Sequence, residues 1–272
     1  MALKVGDIIL RGASAVVLAP AAVLAIWAGG GWFTALVLAG CLLMAAEWSR
    51  MSSPTKWKGL TLGIGAALVA AVVAAHSGQM SLALLLLVVG AFGAGLYARS
   101  RGIEMLDATY GVLYLGWPCV LLIWLRDMNQ AQGLYWTVLV FAVAWASDIL
   151  AYLVGSAVGG PKLWPRFSPN KTWSGFIGGL VAGMIAGGVM AAWLDMGYLN
   201  ALWGAVLGLA AALATMGGDL WESALKRRFG VKDAGNLIPG HGGLLDRVDG
   251  LMFAVVVVAA GRLIVLMLER AA

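Results

Sequence analysis

The residues best equipped for chemistry are concentrated in one stretch, 216–250. Those 35 residues hold ten of the chain's 31 charged side chains: Asp219, Glu222, Lys226, Arg227, Arg228, Lys232, Asp233, Asp246, Arg247 and Asp249. His241, one of only two histidines, lies there too. Five acids against five bases make this more than a basic membrane-flanking loop. On a helix, Asp219, Glu222, Ser223, Lys226 and Arg227 fall at i, i+3, i+4, i+7 and i+8 and share one face. The face runs from carboxylates through a hydroxyl to cations, so a metal ion suits one end and a phosphate the other. A Gly-rich stretch follows over 234–243, with Gly235, Gly240, Gly242 and Gly243 around Pro239 and His241. Glycines let backbone approach a ligand and turn N–H groups towards phosphate oxygens. Asp246 and Asp249, with Arg247 between them, share a helix face if a helix starts there. Asp219 and the Asp246/Asp249 pair converge if the helices carrying them pack as neighbours. Oxygen donors without a Cys/His cluster point to Mg²⁺ or a similar hard ion, not zinc. The plainer reading is an ordinary loop of solvated charges and surface ion pairs. It accounts for the bases better than for four Asp and one Glu among glycines.

Two further places carry polar groups where they cost most. Asp148 stands inside the apolar run 134–158, and an acid at membrane depth is a functional candidate. Its alternatives are a structural partner for an Arg, or a position nearer the membrane surface. The segment 161–174, PKLWPRFSPNKTWS, reads as a loop with three bases and three prolines. Within it Ser168, Lys171 and Thr172 suit either phosphate binding or capping of the helix that follows. His76 reads as an interfacial side chain, and the thirteen tryptophans as interface belts.

The elements that must position these groups are set by composition. Of 272 residues, 62% are hydrophobic and 11% charged, against about 25% charged in soluble domains. A disordered chain, a nucleic-acid-binding domain and a soluble single-core enzyme are excluded; no nucleic-acid partner is expected. The class is an all-α polytopic membrane protein. At about 20 apolar residues per crossing, nine spans are expected, near 14–28, 32–49, 59–75, 81–98, 110–125, 134–158, 172–194, 199–217 and 251–268. The first could instead be the apolar part of a signal peptide, but the charge pattern works with it retained. Alternating sides put Lys4, Arg11, Arg50, Lys56, Lys58, Arg99, Arg101, Lys162, Arg166, Lys171, Lys226, Arg227, Arg228, Lys232 and Arg247 together, which is 15 of the 18 bases. Arg126 and Arg270 fall opposite and Arg262 inside the last span. The positive-inside rule makes the basic side cytoplasmic, with the N-terminus inside and the C-terminus outside. The expected organisation is 1–133 as about five N-terminal spans, then 134–272 as a catalytic transmembrane region containing segment 216–250.

Cys41 and Cys119 sit in separate apolar runs and read as small buried hydrophobes. Gly175, Gly179, Gly183 and Gly187 recur every four residues in the seventh span. Such a seam admits a closely packed neighbour, either within the chain or across a homodimer.

Ser223, Lys226, Arg227, then Lys232, Asp233, Gly235, Ile238, Pro239, His241, Gly242, Gly243, Asp246, Arg247, Val248 and Asp249 resemble the signature of the integral-membrane phosphatidate cytidylyltransferases (CDP-diacylglycerol synthases), with matching spacing over 27 residues. Met216 to Glu222, Asp148 with Ala151, Tyr152 and Gly155, and Ser168 to Trp173 resemble that family as well. Two positions depart: Asn170 stands where a Lys is usual, and Ser174 where an acid is usual. The resemblance implies transfer of CMP from CTP to phosphatidate, giving CDP-diacylglycerol and pyrophosphate, with Mg²⁺ and with any second cation left unidentified. On that basis Asp219 and Asp246 are expected as principal metal ligands, supported by Asp249 and Asp148. Lys226, Arg227 and Arg247 are expected on phosphates, helped by Ser223, Ser168, Lys232, His241, Gly242 and Gly243, and Lys171 on the lipid phosphate or the triphosphate. The compact nine-span layout points to a bacterial inner membrane, with an organellar membrane as the alternative, and the site is expected at the cytoplasmic face. A secondary transporter using Asp148 as an ion site is the rival reading. A CDP-alcohol transferase would carry a different Asp pattern, and a membrane scaffold would tolerate substitution of its charges.

Overall fold

The computed structural model describes residues 20–127, 130–235 and 242–271. A chain this apolar must satisfy its backbone internally, and helices do so within each segment. Among the described residues they are α1 (residues 20–28), α2 (Gly30–Ser52), α3 (Trp57–His76), α4 (Met80–Ser100), α5 (Met105–Asp127), α6 (Gln130–Val158), α7 (Trp173–Trp193), α8 (Ala201–Arg228) and α9 (Leu245–Ala271). The eight from α2 to α9 are long and apolar enough to cross a membrane. They coincide with the second to ninth expected spans; of the first, residues 20–28 are helical and the rest lies outside the described residues.

The chain forms two compact units. The first comprises Met1–Asp127 and Phe229–Val248. In it α2 to α5 pack around Phe33, Trp48, Leu60, Ile64, Leu68, Leu87, Leu115 and Ile123, all fully buried. The turn from α3 to α4 closes on Gly78, whose φ of 75° suits glycine. Opposite ends of this bundle carry different polar contacts. At one, Lys56 Nζ donates to Arg101 O. At the other, His76 Nδ1 lies 2.7 Å from Asp127 Oδ2 and 3.0 Å from Thr34 Oγ1, and Arg126 Nε donates to Ile26 O at 2.7 Å, closing α1. Cys41 and Cys119 are buried free thiols, as expected, and they interact with each other across α2 and α5.

The second unit comprises Met128–Arg228 and Asp249–Ala272. Here α7 packs between α6 and α8, and its buried residues are Gly175, Gly179, Gly183, Gly187 and Ala191. A Cβ added at Gly187 would lie 2.3 Å from Gly204 O and 2.7 Å from Gly208 Cα; one at Gly175 would lie 2.6 Å from Ala151 O. The seam is therefore filled inside the chain, by backbone at Gly175 and Gly187 and by the Met216 and Ala212 side chains at Gly179 and Gly183. Helix α9 lies along α8, with Gly218 against Phe253, Gly250 against Thr215 and Gly261 against Leu207.

One local expectation needs correcting. Segment 161–174 is not all loop: β1 (Lys162–Trp164) and β2 (Ser168–Thr172) form an antiparallel hairpin. Pro169 inside β2 is tolerated because a two-stranded ribbon has free edges, where a missing N–H costs no ladder bond.

Candidate active site

The hairpin runs directly into the start of α7. Thr172 has extended backbone, and its Oγ1 accepts from Gly175 N at 3.2 Å, capping α7. Of the two roles open to Thr172, the structure shows capping. The two positions that depart from the resembled pattern are held locally. Ser174 Oγ donates to Gly159 O, and Asn170 O accepts from Lys162 Nζ at 3.4 Å.

One residue before the cap, Lys171 Nζ reaches Asp219 Oδ2 on α8 and forms an ion pair. Asp219 is also in contact with the Asp249 carboxyl, which is buried and within electrostatic reach of Glu222. Glu222 is 1% exposed, and its Oε1 is 3.3 Å from Lys226 Nζ one turn along α8. Asp148 on α6 lies within electrostatic reach of both Asp219 and Lys171. It is thus part of this cluster rather than a solitary membrane acid.

Helix geometry sets the depth of the cluster. Asp219 is nine residues from the end of α8 and Asp148 ten from the end of α6, so each stands roughly 14–15 Å inside its helix terminus. Like charges at that depth repel unless cations hold them together. Lys171 and Lys226 provide two, and hard carboxylate oxygens are the donor set a Mg²⁺ ion takes. Among the described residues no three acids, imidazoles or thiols are gathered tightly enough to enclose an ion by themselves. A Mg²⁺ ion commonly takes one or two carboxylates and fills its remaining positions with water and substrate phosphates.

The other expected groups fall as follows. Ser223 and Arg227 are on α8 with Asp219, Ser223 half-buried and Arg227 exposed. Ser168 is half-buried at the start of β2. Lys232 and Arg247 are exposed in the first unit. His241 lies outside the described residues. Asp246 stands in the first turn of α9, where its Oδ2 accepts from Ala234 N and from Gly243 N, both at 2.9 Å. Gly242 has φ 87° and an ideal Cβ 3.1 Å from that same Oδ2, so only glycine suits the turn.

One residue escaped the sequence reading. Glu47, near the end of α2 and 1% exposed, accepts from Leu244 N at 2.9 Å and Leu245 N at 2.8 Å. Its signal was a carboxylate at the edge of an apolar run, but with Arg50 and Lys56 following it reads as ordinary membrane-flanking charge.

Residues 9–265 match the model of the cytidylyltransferase family. The chain belongs to that family. Its relatives include the phosphatidate cytidylyltransferase of Brucella abortus biovar 1 (strain 9-941), 40% identical over 229 residues, which are 84% of this chain and 83% of the relative. The phosphatidate cytidylyltransferase of Staphylococcus saprophyticus is 40% identical over 152 residues, 55% of this chain and 57% of the relative. That of Staphylococcus aureus (strain COL) is 46% identical over 127 residues, 46% of this chain and 48% of the relative. This cytidylyltransferase-family member is thus a multi-pass membrane protein with bacterial relatives.

Proposed function

We propose that the chain is a phosphatidate cytidylyltransferase: it transfers CMP from CTP to phosphatidate, releasing pyrophosphate and forming CDP-diacylglycerol. The observation that carries this reading beyond family membership is the carboxylate cluster of half-buried Asp219 with buried Glu222 and Asp249, edged by Lys171 and Lys226.

The chemistry needs little from a general base. A phosphate oxygen of phosphatidate attacks the α-phosphorus of CTP. The Pα–O bond to the β-phosphate breaks, and pyrophosphate leaves with that oxygen. A phosphomonoester has a second pKa of about 6, so the nucleophile is already ionised at neutral pH. The difficulty is to bring two polyanions together, and neutralisation and alignment meet it. Bound at the cluster, Mg²⁺ would supply charge neutralisation and a template for the phosphates. We assign Asp219 and Asp249 to hold it, with Asp148 in support, and Asp246 as a further metal ligand. Lys226, Arg227 and Arg247 hold phosphate oxygens, with Ser223, Ser168, Lys232, His241, Gly242 and Gly243 as substrate contacts. Lys171 orients Asp219 and takes a phosphate of CTP or the lipid phosphate.

Both substrates can reach such a site from the basic side of the membrane, which we take as cytoplasmic. CTP comes from water. Phosphatidate comes from the bilayer, and exposed Ile149, Tyr152 and Leu153 beside Asp148 give α6 a lipid-compatible face next to the acid. The test is direct. Purified protein receives labelled CTP and phosphatidate, with and without Mg²⁺, and a lipid-soluble nucleotide product is sought. A Mg²⁺-dependent liponucleotide with equimolar pyrophosphate is expected; labelled CTP left unchanged would overturn the reading.

A further inference from the structure

The first four N–H groups of a helix have no partner within it, and helices normally begin with a local cap. Helix α9 begins differently. The N–H groups of Leu244 and Leu245 both donate to Glu47, 197 and 198 residues earlier in the chain, one to each carboxylate oxygen. Two glycines of segment 229–248 approach this carboxylate closely. An ideal Cβ on Gly235 would lie 2.9 Å from Glu47 Oε1, and one on Gly243 would lie 2.8 Å from it. Only glycine at both positions lets the backbone come so near. The next residue of α2, Trp48, meets Phe229 edge-on at 5.5 Å between ring centroids. Glu47 and Trp48 therefore hold the two ends of segment 229–248, one by hydrogen bonds and one by an aromatic contact.

The held segment carries Asp246, whose Oδ2 accepts from Ala234 N and Gly243 N. Two carboxylates thus take four backbone N–H groups of one loop. Glu47 secures the loop to α2, and Asp246 secures the loop to itself. Each oxygen of the buried Glu47 carboxylate accepts one charge-assisted bond, which is stronger than a neutral one and costly to lose.

We propose that Glu47 is a positioning residue of the reaction: by clamping the N-terminus of α9 to α2 it sets the placement of Asp246, and with it the enzyme's demand for Mg²⁺. This rests on the functional reading above. Hydrogen exchange and turnover together separate the two. The full-length protein in detergent is compared with Glu47→Gln and Glu47→Asp by amide exchange of peptides from 229–248 and from α3 and α4, and by Mg²⁺ titration of CMP transfer.

Glu47→Gln replaces one acceptor oxygen by an amino group facing an N–H. Faster exchange over 242–248 with unchanged α3 and α4 is expected. The half-saturating Mg²⁺ concentration should rise about tenfold, the effect typical of losing an outer-shell partner, while the KM for CTP changes far less. Glu47→Asp keeps the charge and should recover part of both effects. If Glu47→Gln loosens the whole bundle, Glu47→Asp carries the same comparison. Unchanged exchange over 242–248 would overturn the clamp. Faster exchange with wild-type Mg²⁺ dependence would overturn its role in the reaction. A wild-type protein without CMP transfer would sink the functional reading instead, and exchange would still decide the clamp.

Discussion

Lys171 on the hairpin and Asp219 on α8, 48 residues apart in the chain, are joined by a direct ion pair. The pair ties strand β2, and through the Thr172 cap the start of α7, to the carboxylate cluster of α8 and α9. A lysine so placed orients the acid and lends positive charge to the same site.

If the two act as a unit, their losses overlap. Lys171→Met and Asp219→Asn should each lower kcat by roughly a hundredfold or more. The double variant should lose no more than the worse single one. Steady-state turnover of the three proteins checks this, and losses that simply multiply would separate Lys171 from Asp219.

Asp249 and Asp246 should respond differently to removal of charge. Asp249 lies among Asp219 and Glu222 and accepts from the adjacent Gly250 N, whereas Asp246 accepts from Gly243 N and from Ala234 N in the preceding loop. Asp249→Asn should reduce turnover at least about a hundredfold and leave amide exchange unaltered. Asp246→Asn should reduce turnover comparably and also raise exchange over 242–248. Turnover and exchange measured on the same preparations test both, and wild-type rates in either variant would strike that residue from the metal ligands.

The glycine seam makes a stability prediction. Gly187→Ala forces a methyl into the Gly204 and Gly208 backbone and should destabilise by about 1–3 kcal/mol. Gly63 lies in α3 with nothing within 4 Å of an added Cβ, so Gly63→Ala should be neutral or stabilising by up to about 1 kcal/mol. Thermal unfolding in one detergent compares them. Equal midpoints would show that α7 and α8 can separate without loss.

Arg262 tests whether buried charge here is structural. It is 2% exposed, with Nη1 at 3.2 Å from Glu269 Oε1, Nη2 at 2.6 Å from Gln132 Oε1 and the guanidinium over Trp136. Glu269→Ala strands a buried cation and should cost about 1–3 kcal/mol, discounted for the partial exposure of Glu269. Arg262→Met removes the charge with it and should cost less. Neither should alter the KM for CTP in the folded protein. A larger loss for Arg262→Met than for Glu269→Ala would reverse this assignment.

Much of this was legible in the chain. Hydropathy located eight helices, because each crossing must be apolar along about 20 residues and bond its own backbone. The i, i+3, i+7 spacing put Asp219, Glu222 and Lys226 on one face, and α8 does continue to Arg228. Asp246 and Asp249 share the start of α9, as they would if the helix began there. The hairpin was missed because prolines mask short strands that no neighbour completes. Glu47 was missed because nothing beside it in the sequence needs a carboxylate.

The sequence by itself determined the membrane class, the spans, the family signature and which acids and bases share a helix face. These depend on composition and on residues a few positions apart, where chain geometry alone fixes who meets whom. Tertiary structure decided that Lys171 meets Asp219, that Asp249 joins Asp219 and Glu222, that the glycine seam is filled from within, and that Glu47 caps α9 from 198 positions away. Such contacts arise from how helices pack, and no spacing along a chain encodes which distant backbone N–H a buried carboxylate will find.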